Sequence, residues 1–353
     1  MRFILTSALF VFGCGTSDAP TAPSAERAAC DAIARTVSPA SAGQANFYYR
    51  NDIVFSVTEG ASTAQIQVTD GAGNTVAGEV WVDNRVGPDE PVLVRFTPDE
   101  PLQAATDYTA TLDYCAGTPS VDFRTSALGS ALEAPGQIEG QTYIMDMSAA
   151  KVIQPSGAAQ VLLTLLDNDL SLQVDRVAGD TLDITVAPTR ISDGEQDTCT
   201  PTLDFSMPGN FAEAPAFDVG PVDVPFNVAG YTVVLYDAYS SATFAADGTF
   251  FAGGLMSGSV DARDVVIALE GRGVLPSEDP ATLCELLGNY NVGCTPCQDG
   301  EPLCLELQVA NIEGKLSDLV VEPVLDTDCH ERCESSCDNA ECNLGDDLAV
   351  CDT

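Results

Sequence analysis

Histidine and lysine are nearly missing. One histidine, His330, and two lysines, Lys151 and Lys315, occur in 353 residues. So little histidine removes the Ser-His-Asp and Cys-His catalytic arrangements and the usual Cys/His zinc sites. The G-x-S-x-G turn of a nucleophile elbow and the G-x-x-x-x-G-K phosphate loop are absent as well. Positive charge is scarce, with 14 basic residues against 53 acidic and a formal net charge of -39. A phosphate backbone would be repelled by such a surface, which argues against nucleic-acid binding. The acidity reads first as a means of solubility and only second as a divalent-cation surface. After the first fourteen residues, no apolar stretch approaches the ~20 residues that a membrane helix needs.

What is present begins at the N-terminus. Arg2 supplies a positive charge, residues 3–12 form an apolar run, and Val11-Phe12-Gly13 leads into Cys14. A charged start, a run too short to span a bilayer and a small residue at its end describe an export signal. A cysteine directly after that small residue resembles the lipobox of bacterial lipoproteins. The resemblance implies that Cys14 is lipidated as the mature N-terminus, and that Gly15 after it directs sorting to the outer membrane. Residues 15–25 (GTSDAPTAPSA) hold too little apolar bulk to fold and read as a tether.

Apart from Cys14, twelve of the 13 cysteines remain, an even number. In an exported chain they argue for disulfides and against metal thiolates.

Between about Cys30 and Ser126, seven short β-rich runs alternate with turn residues: 46–50, 52–58, 64–69, 76–82, 91–96, 108–114 and 121–124. Ile66 with Val68, and Val80 with Val82, put apolar side chains on one face. Asp70-Gly71-Ala72-Gly73-Asn74 carries the residues of a tight hairpin turn. Seven strands in roughly 100 residues indicate an antiparallel sandwich. The residues Val37-Ser38-Pro39, Ile53-Val54-Phe55-Ser56-Val57, Phe96-Thr97-Pro98-Asp99-Glu100-Pro101-Leu102, Thr106-Asp107-Tyr108 and Phe123-Arg124-Thr125 resemble the bacterial Ig-like domains of the surface-layer-protein type. That resemblance implies a spacer or adhesive module without a catalytic site. Tyr108 is placed as a tyrosine corner, its ring inside and its hydroxyl on backbone. Cys30 and Cys115 are expected to pair, tying a helix-like extension (26–35) to the sandwich; pairing with a later cysteine is the alternative. Closing so long a loop would constrain the unfolded chain by about 4–5 kcal/mol.

Residues 127–139 read as a linker with little to bury. Beyond it the pattern is again β, with strands expected at 141–147, 160–166, 169–177, 181–191, 202–207, 231–238, 240–246 and 249–258. Leu170, Leu172 and Val174 alternate with Ser171, Gln173 and Asp175. Asp247-Gly248 is a hairpin signal, and Asp167-Asn168-Asp169 reads as a turn. About eight strands make a closed barrel or a second sandwich, the barrel either filled by its own side chains or holding one small apolar ligand. Asp261 is expected to cap a short helix with Val265, Val266 and Leu269 inward. Asp279-Pro280 opens a second helix over 281–287. A strand over 303–309 and a last run near 316–324 follow.

Cys294-x-x-Cys297 lacks the βαβ context of a thioredoxin-like site, and Cys284 and Cys304 are single, unlike the second close pair of a zinc ribbon. Two structural disulfides among these four are expected, in any of three pairings. The tail holds Cys329, Cys333, Cys337, Cys342 and Cys351; five is odd, and Cys199 is the unmatched partner available. Its Asp338, Asn339, Glu341, Asp346 and Asp347 miss the EF-hand spacing, so no metal site is assigned.

The expected organisation is all-β. A signal segment (1–14) and tether (15–28) precede an Ig-like sandwich (29–126) and a linker (127–139). A β-rich second domain with two short helices (140–325) and a Cys-rich disulfide tail (326–353) complete it. The expected role is that of a non-enzymatic lipoprotein of the outer membrane, facing periplasm or cell surface, structural or adhesive. It is held to the membrane through Cys14 and meets a protein or surface-polymer partner. No catalytic residue, cofactor or metal is assigned. The alternatives are a lipocalin-like module for a small apolar ligand in the second domain and a carboxylate-dependent hydrolase. With 53 acidic residues, some carboxylate pair will look suggestive anywhere.

Overall fold

The computed structural model describes residues 32–83, 92–154, 168–198, 202–204, 209–228, 231–271, 279–288 and 293–325, together with Leu163, Leu166 and Leu275. The signal, the tether, Cys14, Cys30, Cys199, His330 and the Cys-rich tail lie outside them, as does most of the strand expected over 160–166.

Eight strands build the first module: β1 (Ala34–Ser38), β2 (Gln44–Phe47), β3 (Ile53–Val57), β4 (Gln65–Asp70), β5 (Gly78–Asp83), β6 (Val92–Pro98), β7 (Asp107–Asp113) and β8 (Ser120–Thr125). They form two four-stranded sheets, β1-β3-β6-β5 and β2-β8-β7-β4. This is the order of an Ig-like sandwich whose first strand is split between the sheets. All pairs are antiparallel except β2 with β8. The alternation in β7 (Tyr108, Ala110, Leu112) and β8 (Val121, Phe123) faces one core with Phe47, Ile53, Phe55 and Phe96. Tyr108 is buried, and its hydroxyl accepts the backbone N–H of Gln103 at 2.9 Å, the tyrosine-corner bond.

Three local expectations change. Ala34 and Arg35, placed in a helix-like extension, open β1. Residues 48–50, placed in a strand, form a turn. The Asp70 turn forms, with Asp70 Oδ1 accepting N–H groups of Ala72 and Asn74, but it closes only the Thr69–Thr75 bridge. The chain then crosses to the other sheet, because β4 and β5 belong to different sheets.

The second module is a closed barrel. Its strands are β9 (Thr142–Met145), β11 (Asn168–Ala178), β12 (Thr181–Arg190), β14 (Gly209–Asn210), β15 (Ala216–Val228), β16 (Tyr231–Phe244), β17 (Phe250–Asp261) and β18 (Cys304–Ser317). Neighbours pair in that order, and β18 returns to β9 to close the ring. Two short strands lie off the ring: β10 (Lys151–Gln154) adds to β18, and β13 (Leu203–Asp204) pairs with β12.

The strands expected from the sequence do not include β15, which carries Pro221 and Pro225, residues that a strand interior disfavours. The barrel accommodates them. Beyond the Asn210–Asp218 pair, β15 has no ladder partner on its second side among the described residues, and its register shifts between Val219 and Val222. The expected strands 231–238 and 240–246 are one strand, β16, bent at a bulge around Asp237 (φ 49°). Asn168 and Asp169 are not a turn: they start β11 opposite Arg190 and Thr189. Asp247-Gly248 does make the β16–β17 hairpin turn, with Gly248 at φ 71°. The connecting stretch 127–139 buries more than its composition suggests, since Ile138 is fully buried in the barrel core and Leu132 packs on it.

Two helices follow the barrel wall: α1 (Ala262–Gly271) and α2 (Pro280–Gly288). Asp261 Oδ1 accepts the Arg263 N–H at 2.8 Å and caps α1. Val265, Val266 and Leu269 turn inward, as the pattern predicts. Cys284 bonds to Cys294 and Cys297 to Cys304, which resolves the three pairings. Cys115 is also disulfide-bonded. Its partner lies outside the described residues, and so does the expected Cys30–Cys115 pairing.

Candidate functional site

The two ends of the barrel are built differently. At the end nearer the sandwich, Phe211, Phe217, Phe244, Phe251 and Tyr143 fill the interior. Phe217 stacks on Phe244 at 4.8 Å between centroids, and Tyr143 lies 5.3 Å from Phe244. The fully buried Tyr143 donates its hydroxyl hydrogen to the Gly248 carbonyl at 2.8 Å, fixing the hairpin over the plug. Burial, and secondarily the charge of Asp247, hold that hydroxyl well above its ordinary titration range. The end is a stopper of packed aromatic rings.

The opposite end is aliphatic and incompletely filled. An apolar cavity of about 60 Å³ lies between Met147, Val152, Phe226, Val233, Leu235, Met256, Val260, Leu307 and Val309, with Val265 of α1 across it. Leu163 and Leu166 complete its lining. By share of liquid volume, space of that size corresponds to about two water molecules. Its wall offers no polar atom, so water has no partner there and the cavity stays dry. At about 24 cal/mol per Å³, leaving 60 Å³ unfilled costs about 1.4 kcal/mol of stability. Sequence reading does not find this place. The strands that contribute to it come together only on closure, and no motif marks Met147 or Met256.

A second cluster sits at the start of α1. Asp261 is only 8% exposed; its carboxylate accepts from Arg263 Nε at 2.9 Å, and Arg263 reaches on to Asp299 at 2.8 Å. Cys297 Sγ is 3.8 Å from Asp261 Oδ2. Asp261, Cys297 and Cys304 together have the spacing of three metal ligands. Their chemistry is otherwise: the two sulfurs are bonded to each other, and the carboxylate is neutralised by a guanidinium. The cluster ties the helix start to the loop before β18. In the first turn of α1, burial and the charge of Asp261 raise the Asp264 carboxyl.

The third polar assembly is the seam between sandwich and barrel. Thr243 falls on the outward set of β16, between inward Ala242 and Phe244, and yet is fully buried. Two tyrosines of the sandwich cover it, with Tyr48 Oη at 2.8 Å and Tyr49 Oη at 3.2 Å from its Oγ1. Arg50 Nε donates to Tyr49 Oη at 3.0 Å, and its guanidinium forms an ion pair with Glu213. Burial pushes the Tyr48 hydroxyl up to about 12, the Thr243 bond opposing only in part. A buried threonine on an outward position is a signal that something covers it, but it can be read only once the strand phase is known.

Of the residues singled out in the sequence, the structure brings Cys284, Cys294, Cys297 and Cys304 into two adjacent bridges beside α1 and α2. It does not describe Cys14, Cys30, Cys199, His330 or the acidic residues of the tail. Among the described residues, no helix is long and apolar enough to cross a membrane. Neither the models of known protein families nor the curated proteins give a match to this chain.

Proposed function

We propose that the chain is a non-enzymatic lipoprotein of the outer membrane in which an Ig-like spacer carries a β-barrel as one stiff unit. The lipobox at Cys14 and the following tether supply the anchor in this reading, and the acidic surface keeps the folded part soluble. The observation that carries the reading is the seam. Two tyrosine hydroxyls close on a fully buried threonine, flanked by an Arg50–Glu213 ion pair. Buried hydroxyls lose their partners when such a surface separates, which favours a fixed angle between the modules. A spacer that positions its cargo needs that fixed angle. The partner is a protein or a surface polymer.

Two measurements test it. Mass analysis of the mature polypeptide should find a diacylglyceryl-modified Cys14, and an unmodified thiol there defeats the anchor. Small-angle scattering of the soluble part should fit one rigid shape that Thr243→Val broadens. A scattering curve already requiring freely jointed modules in the wild type defeats the stiff spacer.

A second reading rests on the aliphatic cavity: the barrel is a lipocalin-like binding module for a small apolar molecule. Native mass spectrometry of the purified chain should then retain a bound hydrophobic molecule. A clean apo mass, with no uptake of added hydrophobic probes, removes this reading.

A further inference from the structure

We propose that the aliphatic end of the barrel takes the end of an unbranched alkyl chain, whose tip fits a dry space of about 60 Å³. The site rests on the second reading above and gives it a place and a ligand class. The wall between Met147, Val233, Met256 and Val309 presents no donor or acceptor, so a polar ligand would enter at the full cost of its desolvation. Dry apolar space instead favours a ligand that needs no hydrogen bond. Length is limited from the far side, because the Phe217–Phe244–Phe251 stopper closes the barrel behind the cavity. Met147 and Met256 give the wall its adjustable part, since unbranched thioethers change rotamer more readily than valine or leucine.

The experiment uses the full chain labelled with ¹³C at its five methionine methyls. It is titrated with n-pentane, with 1,4-butanediol as the polar control. Saturable displacement of the Met147 and Met256 methyl signals by pentane, with no response to butanediol, is the expected result. Val233→Leu grows a side chain into the space and should weaken pentane binding at least tenfold. If that variant does not keep a native methyl spectrum, Val152→Leu fills the same cavity from another strand. Unchanged pentane affinity in a natively folded filled variant overturns the site. Saturable shifts at other methyls alone also overturn it, while leaving the barrel as a binding module. No response to pentane or to n-dodecane overturns both.

Discussion

Tyr48 and Thr243 stand 195 residues apart in sequence, and their hydroxyls meet at 2.8 Å across the seam between sandwich and barrel. Thr243→Val keeps the shape of the side chain but leaves the Tyr48 hydroxyl without its partner, whereas Tyr49 retains Arg50. The expected loss is about 1–3 kcal/mol, the cost of one orphaned buried hydroxyl. Adding Tyr48→Phe to Thr243→Val should recover most of it, because removing both partners is nearly neutral. Urea denaturation of the two variants checks this. Because the Tyr48 hydroxyl is raised from 10.0 to about 12, the native state keeps a proton that the unfolded chain loses first. Stability therefore falls as pH rises through that window, and Tyr48→Phe should flatten the fall.

Ile138 belongs to a stretch that reads as a linker and is nonetheless 0% exposed, packed into the barrel core. Ile138→Ala should cost about 2–5 kcal/mol, the range for emptying a buried aliphatic site. An effect under ~0.5 kcal/mol, of the size of surface substitutions, would mean the stretch is a passive connection.

Asp169 provides a pH signature in the barrel. Burial raises its carboxyl, as does the charge of Asp146 to a smaller extent, although the Met147 N–H donates to it at 3.1 Å. The folded chain thus holds this proton more tightly than the unfolded one. Its contribution to stability is greatest below the ordinary aspartate range and is lost as pH rises through the raised native value. Asp169→Asn cannot ionise and keeps an acceptor for Met147. It should raise the melting temperature at pH 7 and leave it nearly unchanged at pH 3; an equal change at both would remove the carboxylate as the cause.

The bridges beside the helices close loops with sequence separations of 10 and 7. Loop-closure entropy assigns each about 2–3 kcal/mol. Replacing Cys297 and Cys304 together by serine should lower stability by that amount and free Asp261 from its neighbouring sulfur. Thermal melts of the double variant against the wild type check this.

Much of the fold was legible because alternation survives where one face of a strand is wet. Tyr108, Ala110 and Leu112 declare β7, and Val121 and Phe123 declare β8; in β11 the alternation of Leu170, Leu172 and Val174 survives although Ser171 on the other face is fully buried. The failures have local causes. Pro221 and Pro225 hide β15, which tolerates them on a side with little ladder to serve. Asp237 breaks the phase of β16 with one bulged residue, so one strand reads as two. The candidate sites were illegible for a different reason. Thr243 and the cavity valines are ordinary residues whose role depends on which distant segment covers them.

Closure of the barrel falls to β18, which pairs with β17 on one side and with β9 and β10 on the other. It is also the last of its strands to be synthesised. The sandwich finds all its partners within residues 34–125 and can fold as it emerges. The barrel must wait with Tyr143, Leu172 and Phe251 uncovered until residue 317 arrives, so a chain cut short before β18 should be a substrate for chaperones and proteases while its first module survives intact.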